Sequence, residues 1–372
     1  MMNDKRILTI ANHLGSIGGT ESAQLAIFQA LAEREWEIDL LYVSAGDFWP
    51  EWQKLAASTT QIRASLPSRS DPIRSTVGAV KAALLAGRAR PSAIYVHNVG
   101  DVPIALAAGR LAGAPVLVHL HLPPPIRQPI WLSSLVHRTT AVIAPSSDAA
   151  KHWMIRASLD PARISVVPLG IDVERFVPLS EDERAAVRSG IGVGEHEPMV
   201  LYAGRIERIK GAHFLIEAIG RIPEPPRLVL CGAAQDGDYL AELKDASKGI
   251  SASFLGRRPD VHKLMAAADL VVLPSNWLET QGLVISEAMA CGTPVVASRI
   301  GGLTETMKGF PDQLVPPGQV EPLTTAIEQY INWKRSDPDL GRRSRAWVVE
   351  NLSLDTSIDA LEAVIVRSQG PS

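Results

Sequence analysis

Three shortages in the sequence exclude whole classes of protein: it has little cysteine, little net charge and no long apolar run. The two cysteines, Cys231 and Cys291, have no CxxC partner, so we expect neither a disulfide framework nor a zinc site. Each lies in an apolar segment and is expected to be a small buried residue, as in proteins of a reducing cytoplasm.

The net charge and the lengths of the apolar runs exclude further classes of protein. A net charge of −3 over 372 residues gives no electrostatic basis for binding nucleic acid. No stretch reaches the roughly 18 apolar residues that span a bilayer, and the run 7–11 is too short for a signal-peptide core. We therefore expect a cytoplasmic protein. Peripheral contact with the inner face of the membrane stays open, because residues 63–90 contain several arginines. The sequence does not indicate an oligomeric state.

Short apolar runs alternate with helical patterns in both halves of the chain. This alternation predicts an α/β fold with parallel sheets, and the length suits two domains. The runs that we interpret as strands are 7–11, 38–43, 93–97, 116–121, 141–145, 199–203, 227–231, 251–255, 270–273 and 295–297, and the clearest helices are 21–34, 212–221 and 282–290. Ligands of such sheets bind beyond the carboxyl ends of the strands.

The break between the halves is predicted near residues 168–172. We expect a first domain at 1–172, a second at 173–350, and a C-terminal helix at 351–372 that packs back on the first domain. The acidic segment 180–183 reads as a loop.

The densest chemical signal lies in residues 274–298, which read strand, loop, helix, turn and strand. The helix should begin near Gly282, so the backbone amides of Gly282, Leu283 and Val284 would be free to bind an anion such as a diphosphate. Glu287 follows about 7 Å further along this helix, within range of a ribose attached to that diphosphate. Glu279 precedes the helix and could accept hydrogen bonds from sugar hydroxyls. An isolated pair of glutamates is more often solvated surface charge.

A second signal is the basic loop after the strand 199–203. Arg205 and Lys210 follow the strand's carboxyl end, where two cations can neutralise a diphosphate leaving group. Arginine can bind the group bidentately, whereas lysine acts as a point charge. Taken alone, the loop could equally be an exposed basic turn before a helix.

Together, the two segments read Gly-Arg-x4-Lys-Gly from residue 204 and Glu-x7-Glu from residue 279. This combination resembles the retaining glycosyltransferases of family 4, the glycosyl transferases group 1. Residues 166–176 resemble the family's interdomain segment, and residues 254–257 resemble its loop beside the nucleobase. The resemblance covers most of the chain. It implies the GT-B fold, in which two Rossmann-like domains face each other across a cleft.

The resemblance also implies roles for single residues. Arg205 and Lys210 would hold the donor diphosphate, Glu287 the ribose and Glu279 the transferred sugar. The remaining donor contacts in the second domain would come from Gly282, Leu283, Val284 and Arg257, the last beside the base.

Two features of the first domain complete the implied site. The loop Gly18-Gly19 follows the first strand, and the family has a similar loop over the donor phosphates and the acceptor. His121 falls where the family has a cleft histidine, which could contact the donor sugar or the acceptor. His119 is its same-face neighbour and is expected to be structural, and His97 is a further candidate at another strand end.

The implied donor is a UDP- or GDP-linked sugar, and the implied partner is an acceptor hydroxyl. No cofactor or metal is expected, because two cations can stabilise the leaving group. The carboxylate pair Asp236 and Asp238 has the spacing of a metal site, but we interpret it as a polar loop. Acceptor contacts are expected from variable loops such as 121–130. Gln281 and Leu169 depart from the family pattern, and Gln281 leaves the identity of the sugar open.

The leading hypothesis is therefore retaining transfer of a sugar to a hydroxyl group, in glycan, glycolipid or glycoside biosynthesis. Two alternatives stay open: a nucleotide-sugar epimerase or hydrolase on the same fold, and a non-catalytic donor-binding subunit of a transferase complex. A dehydrogenase is disfavoured, because the glycines at 15, 18 and 19 do not have the spacing of a dinucleotide fingerprint.

Overall fold

The computed structural model describes residues 5–15, 19–62, 72–122 and 134–370, with side chains from residue 80 onward in the third range. The chain separates into two compact units. The first unit is Met1–Gly170 with Leu354–Ser372, and the second unit is Ile171–Ser353. Within the described ranges, every helix is too short or too polar to cross a membrane.

The first unit is built on a parallel sheet of seven strands in the order β3-β2-β1-β4-β5-β6-β7. Its strands are β1 Arg6–Leu14, β2 Glu37–Ala45, β3 Ser58–Gln61, β4 Ala93–Val96, β5 Val116–His119, β6 Ala141–Ala144 and β7 Ile164–Val166. The helices between them are α1 Gly19–Glu33, α2 Trp49–Leu55, α3 Pro72–Ala89, α4 Val102–Ala112 and α5 Ser147–Ala157.

The second unit is built on a parallel sheet of six strands in the order β10-β9-β8-β11-β12-β13. Its strands are β8 Met199–Ala203, β9 Arg227–Cys231, β10 Ala252–Gly256, β11 Leu270–Leu273, β12 Val295–Ser298 and β13 Leu314–Val315. Its helices are α6 Glu181–Gly190, α7 Ala212–Gly220, α8 Gly237–Ala246, α9 Val261–Ala267, α10 Leu283–Ala290, α11 Leu303–Thr306, α12 Val320–Ile331, α13 Trp333–Ser336 and α14 Leu340–Asn351.

Strand β8 explains why this sheet is covered on both faces. Successive side chains of a strand point to opposite faces. Met199 and Leu201 pack into one buried cluster, while Val200 and Tyr202 pack into another. All four are apolar or aromatic, so neither face can be left in water, and helices cover both. This leaves the loops at the carboxyl ends of the strands as the part of the sheet that can carry chemistry.

The last helix, α15 Leu354–Ser368, returns to the first unit. It is fixed there by Arg34, which lies 2.5 Å from Asp359 and 2.7 Å from Glu362. The indole of Trp36 also donates a hydrogen bond to Glu362 at 2.6 Å. These contacts join α15 to the end of α1.

The structure confirms the predicted α/β fold with parallel sheets, and it corrects three local predictions. Residues 180–183 are not a loop: Ser180 and Glu183 form a reciprocal capping box that starts α6. The segment from Asp236 to Asp238 is not a polar loop either, because Asp236 is the N-cap of α8. Strand β5 ends at His119, so His121 lies beyond the strand.

Candidate functional site

The loop after β8 is shaped by a glycine that brings two loops into contact. Gly211 has φ of 74°, and a Cβ on it would lie 2.0 Å from the carbonyl oxygen of Pro274. The amide of Asn276 donates a hydrogen bond to the carbonyl of Ile209 at 3.0 Å. The loop after β8 therefore lies directly against the loop after β11, and only glycine fits at the crossing point.

This crossing places Lys210 beside Glu279. Lys210 ends a short 3₁₀ turn, Arg208–Lys210, and its Nζ lies 2.5 Å from Glu279 Oε1. The hydroxyl of Ser275 donates to the same oxygen at 2.6 Å. Glu279 is buried and Lys210 is mostly buried. The structure thus brings together two residues from the two signals in the sequence, and it adds Ser275, which the sequence analysis did not identify.

Arg205 is held differently from Lys210. It forms an ion pair with Glu207, and its side chain remains 42% exposed. Its carbonyl accepts a hydrogen bond from the hydroxyl of Tyr202 at 2.7 Å, which fixes the backbone of the loop. The guanidinium therefore has a defined position but keeps donors open to solvent.

Helix α10 begins at Leu283 with Gly282 as its N-cap, close to the start near Gly282 that the sequence predicts. Gly282 is in the left-handed region with φ of 75°, and a Cβ on it would lie 2.3 Å from Leu303 Cδ2. In the described part of the chain, the amides of Gly282, Leu283 and Val284 donate to no backbone oxygen. The positive end of a helix dipole and three free amides form an anion-binding geometry.

The glycine pair Gly301-Gly302 supports the segment that leads into α10. The amide of Gly302 donates to the carbonyl of Glu279 at 2.8 Å, and a Cβ on Gly301 would lie 2.3 Å from the same oxygen. The hydroxyl of Thr306 donates to the carbonyl of Gln281 at 2.8 Å. This support was not predicted from the sequence, although a Gly-Gly pair separated from the preceding strand by two residues could have indicated it.

Glu287 lies on α10 and is half-buried. Burial raises the pKa of its carboxyl group to about 7, an effect that the charge of Arg175 partly opposes. The side chain has no hydrogen bond or ion pair among the described residues. A carboxyl group kept out of water without a partner is costly, so a ligand with hydroxyl groups would be a favourable neighbour.

The other predicted donor residue of the second unit, Arg257, lies exposed directly after β10. Gly256 precedes it with φ of 66°, and the Gly256 carbonyl accepts a hydrogen bond from the Gly232 amide at 2.8 Å. Arg257 therefore lies at the carboxyl end of β10.

Of the two carboxylates at the start of α8, that of Asp236 caps the helix. Asp236 accepts hydrogen bonds from the amides of Asp238 and Tyr239 at 3.0 and 3.1 Å. An N-cap of this kind satisfies amides that would otherwise be unpaired.

In the first unit, Gly19 is the first residue of α1 and is exposed, while Gly18 and the proline run at 123–125 lie outside the described residues. His121 is buried, and its Nε2 lies 2.7 Å from His97 Nδ1. Burial lowers the pKa of His121 to about 3, so its imidazole is neutral at physiological pH.

Comparison with known proteins identifies related domains in both units. Residues 17–175 match the domain Glycosyltransferase Family 4, and residues 197–332 match the domain glycosyl transferases group 1. A D-inositol 3-phosphate glycosyltransferase of Mycobacterium marinum is 33% identical over 257 residues, which are 66% of this chain and 54% of that protein. A second, from Mycobacterium tuberculosis, is 34% identical over 259 residues, 66% of this chain and 52% of that protein. The chain thus matches about half the length of these curated relatives.

Solved structures show the fold. Anabaena HepE in complex with UDP superposes with a TM-score of 0.85 at 24% identity, covering 97% of this chain and 100% of that one. A glycosyltransferase from Rickettsia africae superposes with a TM-score of 0.86 at 19% identity, covering 100% of both chains. The fold is GT-B.

Proposed function

Because the chain belongs to the family 4 glycosyltransferases and carries the glycosyl transferases group 1 domain, we propose that it transfers a sugar from a nucleoside diphosphate to an acceptor hydroxyl, with retention of the anomeric configuration. The observation that carries this proposal is the contact between Lys210 and Glu279. Glu279 lies on the loop that leads into α10, and among the described residues the first backbone amides of that helix are free.

The diphosphate would be held by charge and by backbone amides. An ammonium has three donors, so Lys210 can keep its bond to Glu279 and still donate to a phosphate oxygen. Arg205 would supply a second cation, and the amides of Gly282, Leu283 and Val284 would supply neutral donors. These groups stabilise negative charge without a divalent metal at the phosphates.

The two glutamates would bind the two sugars of the donor. Glu279 uses Oε1 for Lys210 and Ser275, and Oε2 forms no hydrogen bond in the described part of the chain, so it can accept one from the transferred sugar. Glu287 would accept hydrogen bonds from the ribose hydroxyls. Such bonds favour the charged form, so nucleotide binding should lower the pKa of Glu287 from about 7.

In the proposed reaction, the bond between the sugar's anomeric carbon and the phosphate oxygen breaks, and its electron pair stays on the diphosphate. The acceptor oxygen bonds to the same carbon from the same face, and its proton passes to the departing phosphate oxygen. No protein base is then required. This suits His121, whose pKa of about 3 makes it a poor base at neutral pH.

The test begins with binding, because a ligand that binds only the folded state raises the melting temperature. The purified chain is titrated with UDP, GDP and ADP; UDP comes first because Anabaena HepE has been crystallised with UDP and with UDP-glucose. We expect one nucleoside diphosphate to raise Tm by several degrees. The matching nucleotide sugar and a panel of hydroxyl acceptors are then followed by NMR of the anomeric proton.

Each outcome is decisive. A product with the donor's anomeric configuration supports the proposal, and an inverted product contradicts it. Conversion of the donor without any acceptor identifies an epimerase or hydrolase. Binding without turnover for every acceptor favours a donor-binding subunit, and no stabilisation by any nucleoside diphosphate rejects the site altogether.

A further inference from the structure

Three histidines of the first unit converge at the carboxyl ends of two neighbouring strands. His97 directly follows β4, His119 is the last residue of β5, and His121 lies two residues further on. The two strands are parallel neighbours, with Val96 opposite Val118. This register places His97 next to His119, and the two-residue period of an extended chain keeps His119 and His121 on one side.

The three rings are buried. His97, His119 and His121 are 2%, 1% and 3% exposed. A neutral imidazole has one nitrogen with a free lone pair, which is the form that binds metal ions.

The nitrogens lie close together, and two of them have no hydrogen-bond partner. One nitrogen from each ring lies within 4.8 Å of the other two. In the described part of the chain, Nε2 of His97 and Nε2 of His119 are buried without a partner. Leaving a buried polar atom unpaired typically costs about 1–3 kcal/mol. An ion bound by His119 Nε2 would remove this cost there, whereas His97 would bind through Nδ1 and keep its proton on Nε2.

We propose that His97, His119 and His121 form a binding site for one divalent transition-metal ion of the Zn²⁺ class. Three imidazoles suit Zn²⁺, Co²⁺, Ni²⁺ or Cu²⁺, whereas Mg²⁺ and Ca²⁺ require oxygen ligands. Three protein ligands leave one coordination position for water or a ligand. His121 would then hold the ion and would not touch a sugar hydroxyl directly. The expectation of no zinc site rested on cysteine spacing and did not consider histidines from separate strands.

The geometry requires one adjustment. The 2.7 Å contact between His97 Nδ1 and His121 Nε2 is a hydrogen bond between two rings. At a Zn–N bond of about 2.0–2.1 Å in tetrahedral geometry, ligand nitrogens lie about 3.4 Å apart. Entry of the ion would therefore replace the shared proton and open this pair by less than an ångström, which a small rotation of either ring allows.

Tyr95 supplies the outer support that a histidine ligand normally has. Its buried hydroxyl lies 2.7 Å from His119 Nδ1. If Nδ1 carries the proton and donates it to the hydroxyl, the lone pair is on Nε2, the atom that has no partner. The phenyl ring of Phe28 packs edge-on against His97 with ring centroids 5.5 Å apart, which closes one side of the cluster with apolar surface.

The test measures metal binding directly. Tag-free full-length protein is stripped with a chelator, titrated with Zn²⁺ by calorimetry, and loaded with Co²⁺ for visible absorption spectra. We expect one ion per chain and a tetrahedral Co²⁺ spectrum. His97→Gln and His119→Gln should each abolish this binding. Tyr95→Phe, which keeps the ring volume, should weaken it about 10–100-fold. His152→Gln, a partly exposed histidine of the same unit, should bind as the wild type does.

The result is independent of glycosyl transfer, because no turnover is measured. A wild-type chain that binds no Zn²⁺ or Co²⁺ overturns the proposal and leaves a stacked imidazole cluster. So does binding that survives both His97→Gln and His119→Gln. If those variants misfold, the Tyr95→Phe comparison decides: unchanged affinity rejects the site, and weakened affinity with an unchanged Tm supports it.

Discussion

Lys210 Nζ and Glu279 Oε1 lie 2.5 Å apart although the two residues are 69 positions apart in the chain. The contact forms because Gly211 lets one loop pass against the carbonyl of Pro274 in the other. The pair is largely shielded from water, so its charges depend on each other. The same lysine is also the proposed ligand of the donor phosphate, and these two roles can be separated by experiment.

Replacing the pair should separate stability from activity. Lys210→Met leaves the carboxylate of Glu279 buried without its cation, and we expect a loss of about 1–3 kcal/mol of unfolding free energy. In a unit of this size that lowers Tm by about 2–4 °C per kcal/mol. The double variant with Glu279→Gln should recover most of this loss but none of the turnover. Melting curves and donor turnover of the single and double variants measure both effects.

Lys248→Met is the control for an exposed pair. Lys248 and Asp245 lie equally close, at 2.5 Å, but their side chains are 78% and 74% exposed. We expect no change in Tm or turnover for this variant. If Lys210→Met behaved in the same way, the buried pair would have neither of the roles assigned to it.

Arg205→Ala should reduce turnover without unfolding the protein. The guanidinium is partly exposed and forms an ion pair with the nearby Glu207 in the described part of the chain, so stability should change little. Removing one cation from the leaving-group site is expected to lower kcat by about 100-fold or more. Steady-state kinetics with a saturating donor measure this effect.

Arg208→Ala supplies the comparison within the same loop. Its guanidinium pairs with Glu242 and lies 4.6 Å from the ring centroid of Tyr239, so it is already occupied. We expect normal turnover. Equal losses in the two variants would indicate a general charge effect and would argue against a specific role for Arg205.

Gly282→Ala should damage the start of α10. An alanine at φ of 75° is strained by about 1–2 kcal/mol, and its Cβ would lie 2.3 Å from Leu303 Cδ2. Either Leu303 or the helix start must move, which displaces the amides that the phosphate needs. We expect both a lower Tm and weaker binding of the nucleoside diphosphate, measured by calorimetry.

Gly292→Ala tests the same strain at the other end of the helix. Gly292 has φ of 74°, but the nearest atom to its Cβ would be Pro178 Cγ at an ordinary 3.4 Å. This variant should lose stability and keep its nucleotide affinity. If both variants kept full affinity, the amides at the start of α10 would not bind the ligand.

The strands could be predicted because their signal is local. The limits of β8, β9 and β11 agree with the apolar runs 199–203, 227–231 and 270–273. The start of α6 was missed although its Ser180-x-x-Glu183 pattern is the signature of a capping box, since four polar residues in a row resemble a loop.

The contacts of the site could be predicted only in part. Glu279 and Lys210 were recognised as separate ligands, but their pairing depends on the approach of two loops at Gly211, and no local pattern encodes it. The same applies to His97 and His121, which meet only because β4 and β5 are neighbours in the sheet. Strand order is a long-range property, and the residues that it joins are distant in the sequence.

Glu287→Gln should change the pH dependence of stability. The pKa of Glu287 is about 7 in the folded protein, against an ordinary value of 4.5. Between these values the folded state keeps a proton that the unfolded state has released, so the free energy of unfolding falls as the pH rises. The whole shift corresponds to roughly 3 kcal/mol, and above about pH 7 the penalty is constant. Glutamine cannot ionise, so the variant should match the wild type near pH 5 and be more stable near pH 8.

Melting curves at about pH 5, 6, 7 and 8 measure this difference, and Glu350→Gln, at an exposed position, should show none of it. The same Glu287→Gln variant should bind the nucleoside diphosphate more weakly, because an amide cannot accept hydrogen bonds from two ribose hydroxyls with both oxygens. If the variant gains stability and loses affinity, the carboxylate of Glu287 destabilises the free protein but is needed to bind the ligand. A stability difference that does not grow with pH would mean that the carboxylate is solvated, and an unchanged affinity would remove Glu287 from the binding site.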